Sequence, residues 1–293
     1  MYLKAKYKLF EDKISYLRLW ENQMDESLIK RVKNFPPLDE TVIKVQEITN
    51  KKNSSVKELV SVVEKDPMLT ANILKATNSP LYGFSREIKS ISQAISLFGM
   101  ATIRGFALAS MMQSSIKIDM SPYNMSKEQF LNISLSQNAL MFTWYSRVNR
   151  SMMDVLMPAS FLLEVGRVIL ADELREEGKA KEFQEELQNV KTASEVSSLE
   201  EEYLNISGEE ITASILEHWN LEPKIVNAIR YALNIEKADE KSRDYAVALN
   251  VVLNSINSVG RFKPEGLKEA YETIDEYSLD RERFVKALES LNT

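Results

Sequence analysis

The residues able to do chemistry are unevenly supplied in this chain: it has no cysteine, one histidine, His218, and 43 aspartates and glutamates. Without thiols there are no disulfides, no thiolate nucleophile and no cysteine-held zinc or iron–sulfur site. A lone imidazole removes every site in this chain that needs two. His218 lies in Leu216-Glu-His-Trp-Asn-Leu221, on a helical stretch beside Trp219, and reads as a surface or packed histidine. Carboxylates remain open as a source of chemistry, because acid–base pairs and oxygen-only magnesium or manganese sites need only a few in the right geometry. Glu164, Asp172 and Glu173 are neighbouring candidates, and a helix ending in exposed acids is the simpler reading of the same three. The glycines never come closer than six positions, so neither G-x-G-x-x-G nor the P-loop pattern occurs, and G-x-S-x-G is absent as well.

The bulk of the sequence is that of a globular chain: 293 residues, 44% hydrophobic and 27% charged. Only 8 glycines argue against a fold of many tight hairpins. A formal net charge of −6 repels a phosphate backbone, and no local stretch makes a convincing nucleic-acid site. Residues 1–66 carry thirteen Lys/Arg against eleven Asp/Glu, while Ala171–Glu202 carries four against eleven. That acid pole reads as a solvated helical face. The N-terminus interleaves lysines with apolar residues and lacks the continuous core of a signal peptide. The uncharged run Leu131–Ser146 falls short of the roughly 20 apolar residues of a membrane-spanning helix. The expectation is a soluble cytoplasmic protein with no membrane segment.

Helix starts recur along the chain. Ser55…Glu58, Ser90…Gln93, Ser126…Gln129, Thr192…Glu195 and Ser207…Glu210 fit the capping box, and Asp66-Pro67 places proline just inside an N-cap. Apolar stripes follow: Val42/Val45/Ile48, Val56/Leu59/Val60/Val63 and Leu69/Ile73/Leu74. Further helices are predicted near 101–115, 127–148, 153–176, 180–190, 195–204, 209–220, 223–233, 241–257, 265–274 and 280–291. No stretch shows sustained period-2 alternation, so the fold class is all-α.

The first half also holds an ordered set of less ordinary segments: Phe35-Pro-Pro-Leu38, Asp66-Pro-Met-Leu-Thr70, Ala76-Thr-Asn-Ser-Pro-Leu-Tyr-Gly83, Ile88-Lys-Ser-Ile91 and Phe98-Gly99. Together they resemble the HDOD family, a bacterial signalling domain distantly related to HD-type metal-dependent phosphohydrolases. The resemblance extends over about 28–235. It leaves a leader segment, 1–27, and a C-terminal helical extension, 236–293, with the halves of the domain joined near 120–124. It implies a multi-helix HD-related bundle with an N-terminal leader helix and additional C-terminal helices.

In the catalytic HD relatives a His-Asp dyad precedes Ile-Gly-Lys. Phe161-Leu-Leu-Glu-Val-Gly-Arg167 matches that segment in its apolar and glycine positions, with Leu163-Glu164 where the dyad would be. In the same register Ile133, Gly208 and Ala232 stand at other ligand positions. Leucine, isoleucine, glycine and alanine offer a cation no side-chain lone pair, so the resemblance implies a degenerate metal site, no cofactor and no catalysis. It implies regulation instead, through a protein partner of a bacterial signalling pathway or a small ligand. The alternatives are a residual metal-dependent phosphohydrolase and a nucleotide-binding sensor without turnover. The candidate ligand or partner surface is the turn of Asn78, Ser79 and Tyr82 with Arg86 and Arg104, where two guanidiniums could hold an anion.

Overall fold

The computed structural model describes residues 25–51 and 53–292, so the leader expected over 1–27 lies almost wholly outside the described residues. The first half consists of α1 (Glu26–Lys33), α2 (Glu40–Asn50), α3 (Val56–Val63), α4 (Pro67–Thr77), α5 (Ile91–Phe98) and α6 (Met100–Ser115). The second holds α7 (Lys127–Tyr145), α8 (Met153–Leu162), α9 (Arg167–Glu176), α10 (Ala180–Leu187), α11 (Ala193–Leu204), α12 (Gly208–His218) and α13 (Pro223–Arg230). The chain closes with α14 (Arg243–Ser255), a hairpin of β1 (Ile256–Asn257) and β2 (Gly260–Arg261), α15 (Pro264–Glu276) and α16 (Arg281–Asn292). The fold is all-α, as the sequence predicts.

Local chemistry sets the helix starts. Ser55, Ser126 and Thr192 close full capping boxes, and Asp66 accepts from the Leu69 amide ahead of Pro67. Ser90 and Ser207 also accept from their N3 amides. Their boxes stay half closed, because Gln93 turns to the Lys89 amide and Glu210 to Arg230.

The centre of the bundle is α6 against α8, with α7 alongside. Gly105 permits the crossing: a Cβ there would stand 3.0 Å from the Phe161 ring and 3.3 Å from the Met157 carbonyl oxygen. A chain of rings continues outward, with Phe106 4.9 Å from Phe161, Phe98 5.7 Å from Phe106 and Tyr82 4.8 Å from Phe98, the last edge to face. The Phe35-Pro-Pro segment is anchored to the end of α12, where the Trp219 indole N–H donates to the Pro36 carbonyl at 2.9 Å.

Two expectations are corrected. The helix predicted over 153–176 is broken between Leu162 and Arg167, for a reason that belongs to the site below. The helix predicted to run to 257 ends at Ser255, and the chain turns into the hairpin, with Asn257 opposite Gly260. Two-residue strands are too short to show alternation.

The last helices are stitched to the rest. Trp144 Nε1 donates to the Asp280 carbonyl at 3.1 Å, and Gln137 Nε2 donates to the Ile256 carbonyl at 2.9 Å. Among the described residues no single helix is long and apolar enough to cross a membrane.

Candidate functional site

The break between α8 and α9 ends at Gly166. A Cβ on this residue would lie 2.4 Å from the Gly208 carbonyl oxygen and 2.5 Å from the Thr212 amide nitrogen. As glycine, it lets the start of α12 cross the chain, and its amide donates to Thr212 Oγ1 at 2.9 Å. The backbone passes the crossing in a tight turn, with Val165 N–H donating to the Leu162 carbonyl and Arg167 N–H to that of Glu164. This turn places Glu164 and Arg167 together in the interior.

Arg167 is the hub of a wholly buried ionic cluster. Its Nη1 donates to Glu164 Oε1 at 2.8 Å, its Nε to Glu200 Oε1 at 2.6 Å and its Nη2 to Glu209 Oε1 at 2.9 Å. None of these four residues is more than 2% exposed. The Tyr123 hydroxyl and the Gly208 amide donate to Glu200, at 2.9 Å and 2.6 Å, and the Ser258 amide donates to Glu164 Oε1 at 3.1 Å. Gly208 is required for the packing, since a Cβ there would lie 3.0 Å from both Arg167 Cγ and Glu200 Oε2.

One guanidinium faces three carboxylates, so full ionisation would bury excess negative charge. Burial is the largest influence on Glu164 and, with repulsion from Glu209 and Glu200, outweighs Arg167 and the Ser258 amide, pushing its carboxyl up to about 7. Burial also raises Glu200, against the attraction of Arg167. For Arg167 burial opposes the charge, but Glu200, Glu209 and Glu164 overcome it and hold the guanidinium protonated. Glu164 Oε2 and Glu209 Oε2 are buried without a hydrogen-bond partner.

The positions where the family resemblance would place metal ligands hold no donors. Ile133 is half-buried in α7 and Leu163 fully buried. Gly208 opens α12 against the Arg167 stem, and Ala232 is buried with its carbonyl accepting from Asn250 Nδ2 at 2.8 Å. Glu164 alone has side-chain lone pairs, and Arg167 holds its Oε1. A guanidinium amid the carboxylates repels a divalent cation, so the residues present do not fit a metal. Among the described residues no group of three His, Cys, Asp or Glu is arranged to hold one.

The acidic trio drawn from the sequence does not assemble. Asp172 pairs with Arg175, and Glu173 takes Ser27 and Arg31, while Glu164 belongs to the buried cluster. The solvated reading of Ala171–Glu202 needs correction at Glu173 and Glu200, which are buried, as is Glu164 of the trio read as exposed acids. His218 is exposed in the last turn of α12 and takes no part in the cluster.

The candidate surface is divided between fold and solvent. Asn78 spends its amide on the chain, donating to the Leu74 and Ile88 carbonyls at 2.8 and 2.9 Å and accepting from the Ile88 amide at 2.8 Å. Ser79 caps the short turn Pro80–Tyr82, which Gly83 ends at φ 66°. Tyr82 is buried, its hydroxyl donating to Asn138 Oδ1 at 2.8 Å. Arg104 is 3% exposed and bonds Asn50, Glu222 and the Asp154 carbonyl, linking α2, α6, α8 and the start of α13. Arg86 is exposed and does not join it. What remains at the surface is a cleft of about 480 Å³ between α4, α6 and α7, which Asn78 and Ser79 help to line.

The all-helical architecture, with its helix break at Gly166 beside a buried guanidinium–carboxylate centre, is that of an HD-related bundle. The chain belongs to the HDOD family: the HDOD domain matches residues 35–235. Among solved structures it is similar to a virulence factor from Campylobacter jejuni subsp. jejuni, at 27% identity over 91% of this chain and 96% of that one, with a TM-score of 0.55. An HDOD domain protein of unknown function from Geobacter sulfurreducens shares the fold at 16% identity, covering 97% of this chain and 98% of its own, with a TM-score of 0.58. So does a Shewanella amazonensis SB2B protein provisionally named a metal-dependent phosphohydrolase, at 17% identity, 90% and 95% coverage and a TM-score of 0.58. No curated protein matches the chain.

Proposed function

We propose that this protein is a non-catalytic regulatory module that acts by binding, as a signal-transduction element of a bacterial cell. The observation that carries this reading is the Arg167 cluster. The guanidinium donates one hydrogen bond to each of Glu164, Glu200 and Glu209, so the carboxylate at the dyad position is paired with a fixed internal cation. A metal-activated water, the nucleophile that phosphoester hydrolysis would need, has nowhere to be held. With the chemistry removed, the bundle remains as a rigid scaffold for a protein partner or a small ligand.

The test is metal content of the purified chain together with phosphoesterase assays on cyclic dinucleotides. The proposal expects no stoichiometric divalent metal and no turnover. Bound metal with turnover that disappears in Glu164→Ala would replace it with the residual-phosphohydrolase reading.

A further inference from the structure

We infer that the cleft between α4, α6 and α7 binds a small apolar molecule ending in a carboxylate, of the size of a medium-chain fatty acid. The inference rests on the binding role proposed above and names the site and ligand class. At about 480 Å³ the cleft lies in the range of small-molecule sites. Small side chains hold it open: Ala76 on α4, Ala109 and Ser110 on α6 and Ser134 on α7 stand where larger residues would close the helices on one another. Phe106, Phe130 and Phe161 floor it, and the half-buried Leu131 and Leu135 give its α7 wall an apolar surface.

Its polar equipment is concentrated on one side. Lys75 lines the cleft and pairs with no carboxylate among the described residues. Asn72, one turn earlier on α4, donates to Ser110 Oγ at 2.7 Å, which leaves the Ser110 hydroxyl hydrogen available to donate. A carboxylate head fits between the Lys75 ammonium and that hydroxyl, with its chain over the phenyl floor. Glu128 on the α7 wall disfavours an anion there, which orients the ligand with its head toward α4.

Isothermal titration of the full chain with monomeric decanoate tests this, with decanol and octanoate as comparison ligands. Saturable one-to-one binding of decanoate is expected, with octanoate weaker by about tenfold because it buries fewer methylenes. Lys75→Met should weaken decanoate by about tenfold and leave decanol unchanged. Ala109→Trp, which fills the cleft from a half-buried position, should abolish both, and Ser134→Phe repeats the block from the facing wall should Ala109→Trp not fold. Absence of saturable binding, or binding that survives the filled cleft, overturns the inference. If the chain is also free of metal and turnover, that failure sinks this site alone, whereas hydrolysis in the assays above would sink the binding role itself.

Discussion

Glu164 should make the protein less stable as pH rises, and Glu164→Gln should remove that loss. The carboxyl titrates near 4.5 in an ordinary setting and is pushed up to about 7 by burial and its acidic neighbours. Between those values the folded chain binds a proton that the unfolded chain has released, so stability falls with increasing pH. The loss begins above the unfolded value and is complete once the folded value is passed. The gap corresponds to about 3 kcal/mol by pH 8. Glutamine keeps an Oε1 acceptor for Arg167 and Ser258 and remains neutral throughout, mimicking the protonated acid. The variant should therefore match the parent within about 1 kcal/mol at pH 5 and exceed its stability by about 2–3 kcal/mol at pH 8. Urea unfolding followed by circular dichroism at pH 5, 6, 7 and 8 gives the difference directly, since titrations shared by both proteins cancel. Stability curves that run parallel across this range, or a parent that gains on the variant as pH rises, would refute the argument from buried charge.

Other perturbations follow from the same geometry. Arg167→Met leaves three buried carboxylates without their cation and should cost about 3–5 kcal/mol at pH 7, with a smaller cost at pH 5 as the acids take up protons; thermal melts at the two pH values check both parts. Gly166→Ala puts a Cβ 2.4 Å from the Gly208 carbonyl oxygen, and because backbone cannot swing aside, loss of the folded state in a chemical melt is expected. Tyr82→Phe strips the buried Asn138 Oδ1 of its donor and should lower stability by about 1–3 kcal/mol in urea unfolding.

What could be read from the sequence was what is decided locally. Asp66-Pro67 and Ser55…Glu58 start helices through bonds to amides a few residues away, so their signal lies in one window. The expectation that Leu163 and Gly208 stand at ligand positions rests on the apolar and glycine spacing of the dyad segment, which one window of sequence displays. The buried cluster around Arg167 has no such local signal. Arg167 reaches Glu200 and Glu209 across 33 and 42 positions, and Glu200 sits in an acidic stretch whose composition looks solvated. The helix break at Gly166 is likewise imposed by α12 crossing from elsewhere. From sequence Arg104 and Tyr82 read as surface groups, because a polar side chain in a turn or helix carries no mark of burial. Their partners Glu222 and Asn138 lie far along the chain.

The proposed function rests on the Arg167 guanidinium standing where catalytic relatives would hold a metal. Titrating the full chain with Mn²⁺ while following the electron paramagnetic resonance signal of the free ion tests it most directly. The account predicts that the free-ion signal grows in step with added metal at pH 7, with no stoichiometric site. Loss of one equivalent of signal, restored by Glu164→Ala, would contradict it.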